Sequence, residues 1–388
     1  MNLIVSLEHR FARTPDGAVW TETAFAYPFW TRYLTVFDSV RVVARVQDLP
    51  SIPIGWKRAD GMAVSFATIP YYLGPWQYLL QMRHVHQAAV GALETKDAIV
   101  LRLSSPIASI LIRQLQKCGK PYGVEVVGDP FDVFAPGAVK HPLRRFFRVW
   151  FFRELRRQCA NASAAAYVTE HALQRRYPCP NYSVGVSDVE ISDAALVVEP
   201  RRIFDRTGTF ILISVGSLAQ LYKAPDVLID AVAIGVREGL DLKLVLVGDG
   251  KHRAELEARS KKLGMENRVR FLGQLPAGDA VRSQLDQADL FVLPSRTEGL
   301  PRAMIEAMAR ALPCIGSTVG GIPELLPSED MVPAGDAAAL AHKIREVVTD
   351  PQRMASMSAR NLEKAKAYSE DVLCERRVAF YRHVKEQT

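Results

Sequence analysis

Residues 289–309 read DLFVLPSRTEGLPRAMIEAMA. The run DLFVLPS has the length and the unbroken apolar character of a strand buried on both faces of a parallel sheet. SRTEGLP is then the turn at its carboxyl end. The reading puts Pro301 at the first helical position, where its missing N–H leaves no partner unmet. Glu298 therefore stands on the turn rather than on the helix. Gly299, Leu300, Pro301, Arg302 and Ala303 carry the chain into a first helical turn whose unbonded N–H groups and positive dipole end form an anion site. Glu306 falls on the second turn, about 7 Å along the axis from Pro301 at about 1.5 Å per residue. A carboxylate accepts two hydroxyl hydrogen bonds at once, so an acid at that distance suits a diol attached next to a phosphate.

Outward from this stretch, short β-branched runs alternate with longer stretches of helical spacing. In the first half they are 3–7, 40–46, 98–103, 123–128 and 165–170; in the second they are 210–218, 243–250, 268–275, 289–295 and 313–317. That order predicts two doubly wound, Rossmann-like parallel-sheet domains facing across a cleft, with ligands beyond the carboxyl ends of the strands. The pattern loosens over 188–209. The expected domains are 1–195 and 196–369, with the charged helical run 370–388 packing back on the first.

A chain of 388 residues, 48% hydrophobic and 23% charged, is long enough for two cores. Its five cysteines lack the CxxC spacing of a metal or redox site and read as reduced thiols. The first residues, MNLIVSLEHRFARTP, interleave charges where a signal peptide needs an apolar core, and no 18-residue apolar stretch follows. The expectation is a cytoplasmic protein. A net charge of +7 attracts anions. Zinc spacing, RNP-type aromatics and a basic zipper region are all missing, which sets nucleic acid aside.

The segment FVLPSRTEGLPRAMIEAMARALPCIGSTVGGIPELL resembles the donor site of the retaining glycosyltransferases of family 4, which have the GT-B fold. Its E-x7-E motif is Glu298 to Glu306, and the likeness is close over 210–350. The resemblance implies a nucleoside-diphosphate sugar as co-substrate, with no separate cofactor. It implies that Glu306 binds the ribose, Glu298 the donor sugar hydroxyls, and the backbone from Gly299 to Ala303 the phosphates. Lys223 matches the lysine of the family's basic pair, whereas Ser217 stands where the arginine is usual, leaving the phosphate charge to Lys223 and Arg302. Gly248, in VGDG, matches a glycine turn near the nucleotide; a tight turn into the next helix explains it equally well. Gly17 is the one glycine in a first turn that the family usually builds from Gly-Gly, with a simple Pro-Asp-Gly turn as the other reading. Asp129, in GDPFDVF, takes the place of a histidine near the reacting centre, where it would steer the acceptor hydroxyl; an Asp before Pro is also a common turn former.

The expected catalytic group is thus Glu298, Asp129 and Lys223. No Asp-x-Asp pair is present to hold a divalent metal, so the expected transfer is metal-independent and, by the resemblance, retaining. The expected acceptor is a glycan or lipid-linked saccharide, as in surface polysaccharide assembly. The stretch 141–160, dense in arginine and aromatics, reads either as a peripheral contact with the inner face of a membrane or as a helix half-buried against its own sheet. Two other functions stay open: a catalytically silent nucleotide-sugar-binding partner subunit, and a nucleotide-sugar epimerase on the same fold.

Overall fold

A computed structural model describes residues 1–94, 96–134, 142–202 and 208–388. It divides into two compact units, one of residues 1–131, 146–186 and 374–388, the other of 132–145 and 187–373.

In the first unit, seven strands run parallel: β1 (Asn2–Arg13), β3 (Ser39–Asp48), β5 (Val64–Pro70), β6 (Ala98–Leu103), β7 (Gly123–Val126), β8 (Ala164–Tyr167) and β9 (Tyr182–Gly185). Their order across the sheet is β5-β3-β1-β6-β7-β8-β9. The first strand is longer than the expected 3–7. It shifts register between Ser6 and Arg10, continues to Arg13, and pairs antiparallel with β2 (Val19–Thr21), which in turn pairs with β4 (Lys57–Arg58). The physical reason is burial: past the bulge Arg10 is exposed, but Phe11 and Ala12 are both buried, Phe11 against Trp30 and Phe66.

Helices Gly74–Gly91, Pro106–Lys117 and Arg144–Ala160 cover one face, sharing a core through Val85, Ala89, Ile107, Leu111, Leu155 and Cys159. The helix Glu370–Gln387 covers the other face, where Phe380, Tyr381 and Val384 join Leu3, Val5, Val100 and Ala164. A Cβ on Gly123 would lie 2.6 Å from Val384, so the sheet is bare there to admit this helix. Tyr381 and Tyr33 both donate to the buried carboxylate of Glu125, which is also paired with Arg102 on the adjacent strand.

The second unit is a six-stranded parallel sheet in the order β12-β11-β10-β13-β14-β15. The strands are β10 (Phe210–Val215), β11 (Leu242–Val247), β12 (Val269–Gly273), β13 (Leu290–Leu293), β14 (Cys314–Ser317) and β15 (Met331–Val332). The order reverses between β10 and β13, the topological switch point at which such sheets bind ligands beyond the strand ends. Residues 187–195, which the sequence reading assigns to the first domain, pack on this unit because Val189, Ile191 and Ala195 find their apolar partners among Ile213, Phe291 and Met308. All five cysteines are free; burial pushes the Cys159 thiol up to about 12.

Candidate active site

The carboxyl ends of β10 and β13 carry the two segments that matter most. After β10 the backbone turns through Gly216–Gln220 into the short 3-10 turn Leu221–Lys223, and the helix Pro225–Arg237 follows. After β13 the chain passes Ser295, Arg296 and Glu298 into the helix Arg302–Ala309.

Lys223 and Glu298 meet. The Lys223 ammonium donates to Glu298 Oε1 at 2.9 Å, and the Ser295 hydroxyl donates to the same oxygen at 2.9 Å. Both side chains are mostly buried, with 17% of Lys223 and 8% of Glu298 exposed, so the pair is little screened by water. Oε1 accepts both bonds, which leaves Glu298 Oε2 for another donor. Gly216 makes the approach possible, because a Cβ there would lie 2.2 Å from Lys223 Cδ. Ser295 is fully buried and is fixed from behind, its carbonyl accepting from the Ser317 hydroxyl at 2.6 Å.

The helix Arg302–Ala309 starts one residue later than the sequence reading has it. Pro301 is its N-cap, with φ −75° and ψ 106°, rather than its first helical residue. The reason lies in its carbonyl, which already accepts from Met304 and Ile305 while its own ψ is still extended. No side chain caps this end, so the first N–H groups point outward without a side-chain acceptor. Glu306 is half-buried on the second turn. Burial raises its carboxyl above the ordinary range, and the guanidiniums of Arg302 and Arg282 offset this only in part. Arg302 is exposed, 4.0 Å from Glu306, and donates to the Asp188 carbonyl at 3.3 Å.

Behind this turn lies Gly320-Gly321. Gly320 has φ +55°, and a Cβ on it would sit 1.8 Å from the Glu298 carbonyl oxygen; Gly321 donates to the Gly299 carbonyl at 2.7 Å. These two glycines let β14's exit press against the Glu298-Gly299 backbone. Gly299 itself faces open space. Leu300 packs on the core around Met304, and Ala303 is buried in it.

Other expected site residues have different occupations. Gly248 (φ +134°) and Gly250 (φ +156°) are close-approach glycines, but what approaches is the chain's own backbone: added Cβ atoms would lie 2.0 Å from the Gly216 carbonyl oxygen and 2.1 Å from the Ala219 nitrogen. Ser217 is exposed, and its hydroxyl accepts from the Ala219 N–H at 3.2 Å as a local turn. In the first unit, Gly17 (φ +83°) is in the exposed turn of the β1–β2 hairpin, which its N–H closes on the Thr14 carbonyl at 2.8 Å. The simple turn accounts for it. The Asp129 carboxylate is buried under three donors, the Arg176 guanidinium, the Tyr177 hydroxyl and the Phe131 N–H. So engaged, it fixes the loop after β7. His9 lies within β1, its Nε2 bonded to the Thr21 and Thr23 hydroxyls. Burial, reinforced by Arg10 and Arg45, lowers its pKa to about 4.

Sequence reasoning passed over Gly216, Ser295 and Arg296; it saw Gly320-Gly321 only as part of a motif. Gly216 carries a faint signal, being the first glycine after a strand. Arg296 carries none, because its importance lies in contacts with residues 70 and 75 positions away, and Ser295 is an ordinary serine on a turn until Ser317, 22 positions on, fixes it. Among the described residues no three His, Cys, Asp or Glu side chains cluster as metal ligands.

Comparison with known proteins bears on this half of the chain above all. Residues 199–364 match the family model of the glycosyl transferases group 1. The chain is 28% identical over 363 residues to the protein CapJ of Staphylococcus aureus, covering 93% of this chain and 90% of CapJ. It is 36% identical over 139 residues to the amylovoran biosynthesis glycosyltransferase AmsK of Erwinia amylovora, a match spanning 34% of each protein. The fold resembles that of HepE from Anabaena in complex with UDP, with a TM-score of 0.62, 16% identity and coverage of 97% of this chain and 98% of HepE. The two parallel-sheet α/β domains expected from the sequence are those of the GT-B fold.

Proposed function

We propose that the protein moves a hexose-type sugar from a nucleoside-diphosphate sugar to a glycan or lipid-linked saccharide, with retention of anomeric configuration and without a metal ion or further cofactor. The observation that carries this reading is the Lys223–Glu298–Ser295 cluster beside the uncapped start of the helix Arg302–Ala309. The diphosphate rests on the helix start, with Lys223 and Arg302 supplying positive charge. Glu306 accepts from the ribose hydroxyls, and Glu298 uses Oε2 for a hydroxyl of the donor sugar while Oε1 stays with Lys223. Breaking the sugar–phosphate bond builds negative charge on the leaving diphosphate, and a fixed ammonium and fixed N–H dipoles stabilise that charge without reorganising. The acceptor hydroxyl arrives on the face the leaving group departs from, its oxygen bonding to the anomeric carbon as the sugar–phosphate bond breaks and its proton passing to the departing phosphate oxygen. No covalent nucleophile is assigned, and neither are Asp129, Gly17 or Gly248. The match to the glycosyltransferase AmsK supports sugar transfer, and the UDP bound in HepE supports the donor class.

A thermal-shift screen of nucleotide sugars, followed by donor hydrolysis and transfer assays, tests this. The expected outcome is turnover of one donor, reduced about a hundredfold or more by Glu298→Gln. Tight binding without turnover across an acceptor panel would instead favour the silent partner subunit, and an isomerised sugar without acceptor would favour the epimerase.

We further infer that the first unit rests on an anionic lipid surface. Trp76 and Leu80 are 79% and 85% exposed, and Arg83 continues their stripe at i, i+4, i+7. Phe146, Trp150 and Arg153 repeat that spacing on the helix Arg144–Ala160, over the same face of the sheet. No helix among the described residues is long and apolar enough to cross a membrane.

A further inference from the structure

Lys223 sits at the end of a turn that has little of its own to hold it. The 3-10 segment is three residues long, and Ala224 after it is buried in the left-handed region, φ +54° and ψ +46°, where a Cβ is disfavoured. What holds the turn is Arg296. Its guanidinium donates through Nη1 to the Leu221 carbonyl at 2.7 Å and to Asp226 Oδ1 at 2.9 Å, and through Nη2 to Asp226 Oδ2 at 2.7 Å. Its backbone N–H donates to the Tyr222 carbonyl at 2.6 Å. Four bonds from one residue thus straddle Lys223 on both sides. Arg296 lies between Ser295 and Glu298, so the segment that holds Lys223's turn also carries Lys223's partner. The two loops are closed into a ring: Arg296 to Leu221, Tyr222 and Asp226; Lys223 to Glu298; Ser295 to Glu298.

We propose that Arg296 is a positioning residue that, with Asp226, sets where the Lys223 ammonium stands, and so how tightly the donor's diphosphate is held. The proposal rests on the reading of Lys223 as a phosphate ligand. It gives physical content to Ser217: with a serine in place of the second cation, the placement of Lys223 carries more of the anion's binding. A planar, bidentate guanidinium suits the clamp, because it fixes direction as well as distance.

The test is a double-mutant cycle read by calorimetric binding of inorganic pyrophosphate to the full chain. Arg296→Ala is expected to weaken pyrophosphate about tenfold, and to change it less than about twofold in a Lys223→Ala background. Thermal unfolding of each variant separates loss of fold from loss of placement. If Arg296→Ala does not fold, Asp226→Asn, which keeps the side-chain size, gives the same comparison, and Arg296→Lys should fail to restore binding because it cannot fork. Equal weakening in both backgrounds would mean that Arg296 touches the phosphate itself and would overturn the proposal. So would unchanged binding in the Lys223 protein. If Lys223→Ala alone left pyrophosphate affinity at the native value, the donor-site reading would fail first, and the proposal with it.

Discussion

Glu298 and Glu306 look alike in the sequence, eight positions apart with a helix start between them, yet their surroundings give them different chemistry. Glu298 is buried beside an ammonium and a hydroxyl, so its charge is compensated in place. For Glu306 burial raises the carboxyl above the ordinary 4.5, and the guanidiniums of Arg302 and Arg282 offset this only in part. A carboxyl raised in the folded state favours the fold while protonated, and that contribution fades as pH rises through the raised value. Glu306→Gln should therefore not lower the melting temperature at neutral pH. Ribose hydroxyls, by contrast, bond most strongly to the ionised form. Nucleotide affinity should fall as pH is lowered from about 8 toward about 5, and Glu306→Gln should weaken it about tenfold at neutral pH while flattening the profile. Isothermal titration across that range checks this; a profile shared by the native protein and the variant would remove Glu306 from the ribose. At this scale the sequence was a good guide to residue type and spacing, and a poor one to partners. Asp129 reads as a strand-end acid, and only the fold brings Arg176 and Tyr177 onto its oxygens.

Among the elements, strands and helices were legible and the loops between them were not. The run 98–103 is β6 as written, because six consecutive buried residues leave no other reading. The turns at β10, β11, β13 and β14 are held by backbones that touch one another, and a sequence does not show which glycine faces which carbonyl. Gly320 and Gly299 make the difference measurable. Alanine at Gly320 meets the Glu298 carbonyl and a left-handed φ, whereas alanine at Gly299 meets open space. Gly320→Ala should destabilise the fold by at least about 2 kcal/mol and depress donor turnover by displacing Glu298. Gly299→Ala should leave stability within about 0.5 kcal/mol. Chemical denaturation of the two variants decides; equal, small effects would mean that the β14 exit does not support the turn that carries Glu298.

On the scale of the whole molecule, charge and exposed apolar surface point the same way. A chain of net charge +7 exposes Trp76, Leu79, Leu80, Phe146 and Trp150, side chains that a soluble surface normally covers. Vesicles containing phosphatidylglycerol should carry the protein upward in a density gradient at low salt, and neutral vesicles should not. Trp76→Ser with Leu80→Ser should abolish flotation while leaving the melting temperature unchanged, because neither side chain is buried. Flotation that survives this double substitution would put the contact elsewhere.

By itself the sequence determined the alternation of strand and helix, the two sheets, and the acid–turn–helix segment at 298–306, because hydrophobic period, proline and glycine act within a few residues of themselves. The tertiary structure alone decided that Lys223 faces Glu298, that Arg296 braces the turn carrying Lys223, that Gly248 and Gly250 serve the chain's own backbone, and that β1 runs on into a hairpin past Gly17. The first three of these depend on contacts between residues far apart in the chain, and such contacts are set by burial and packing, which leave no period in the sequence to be read.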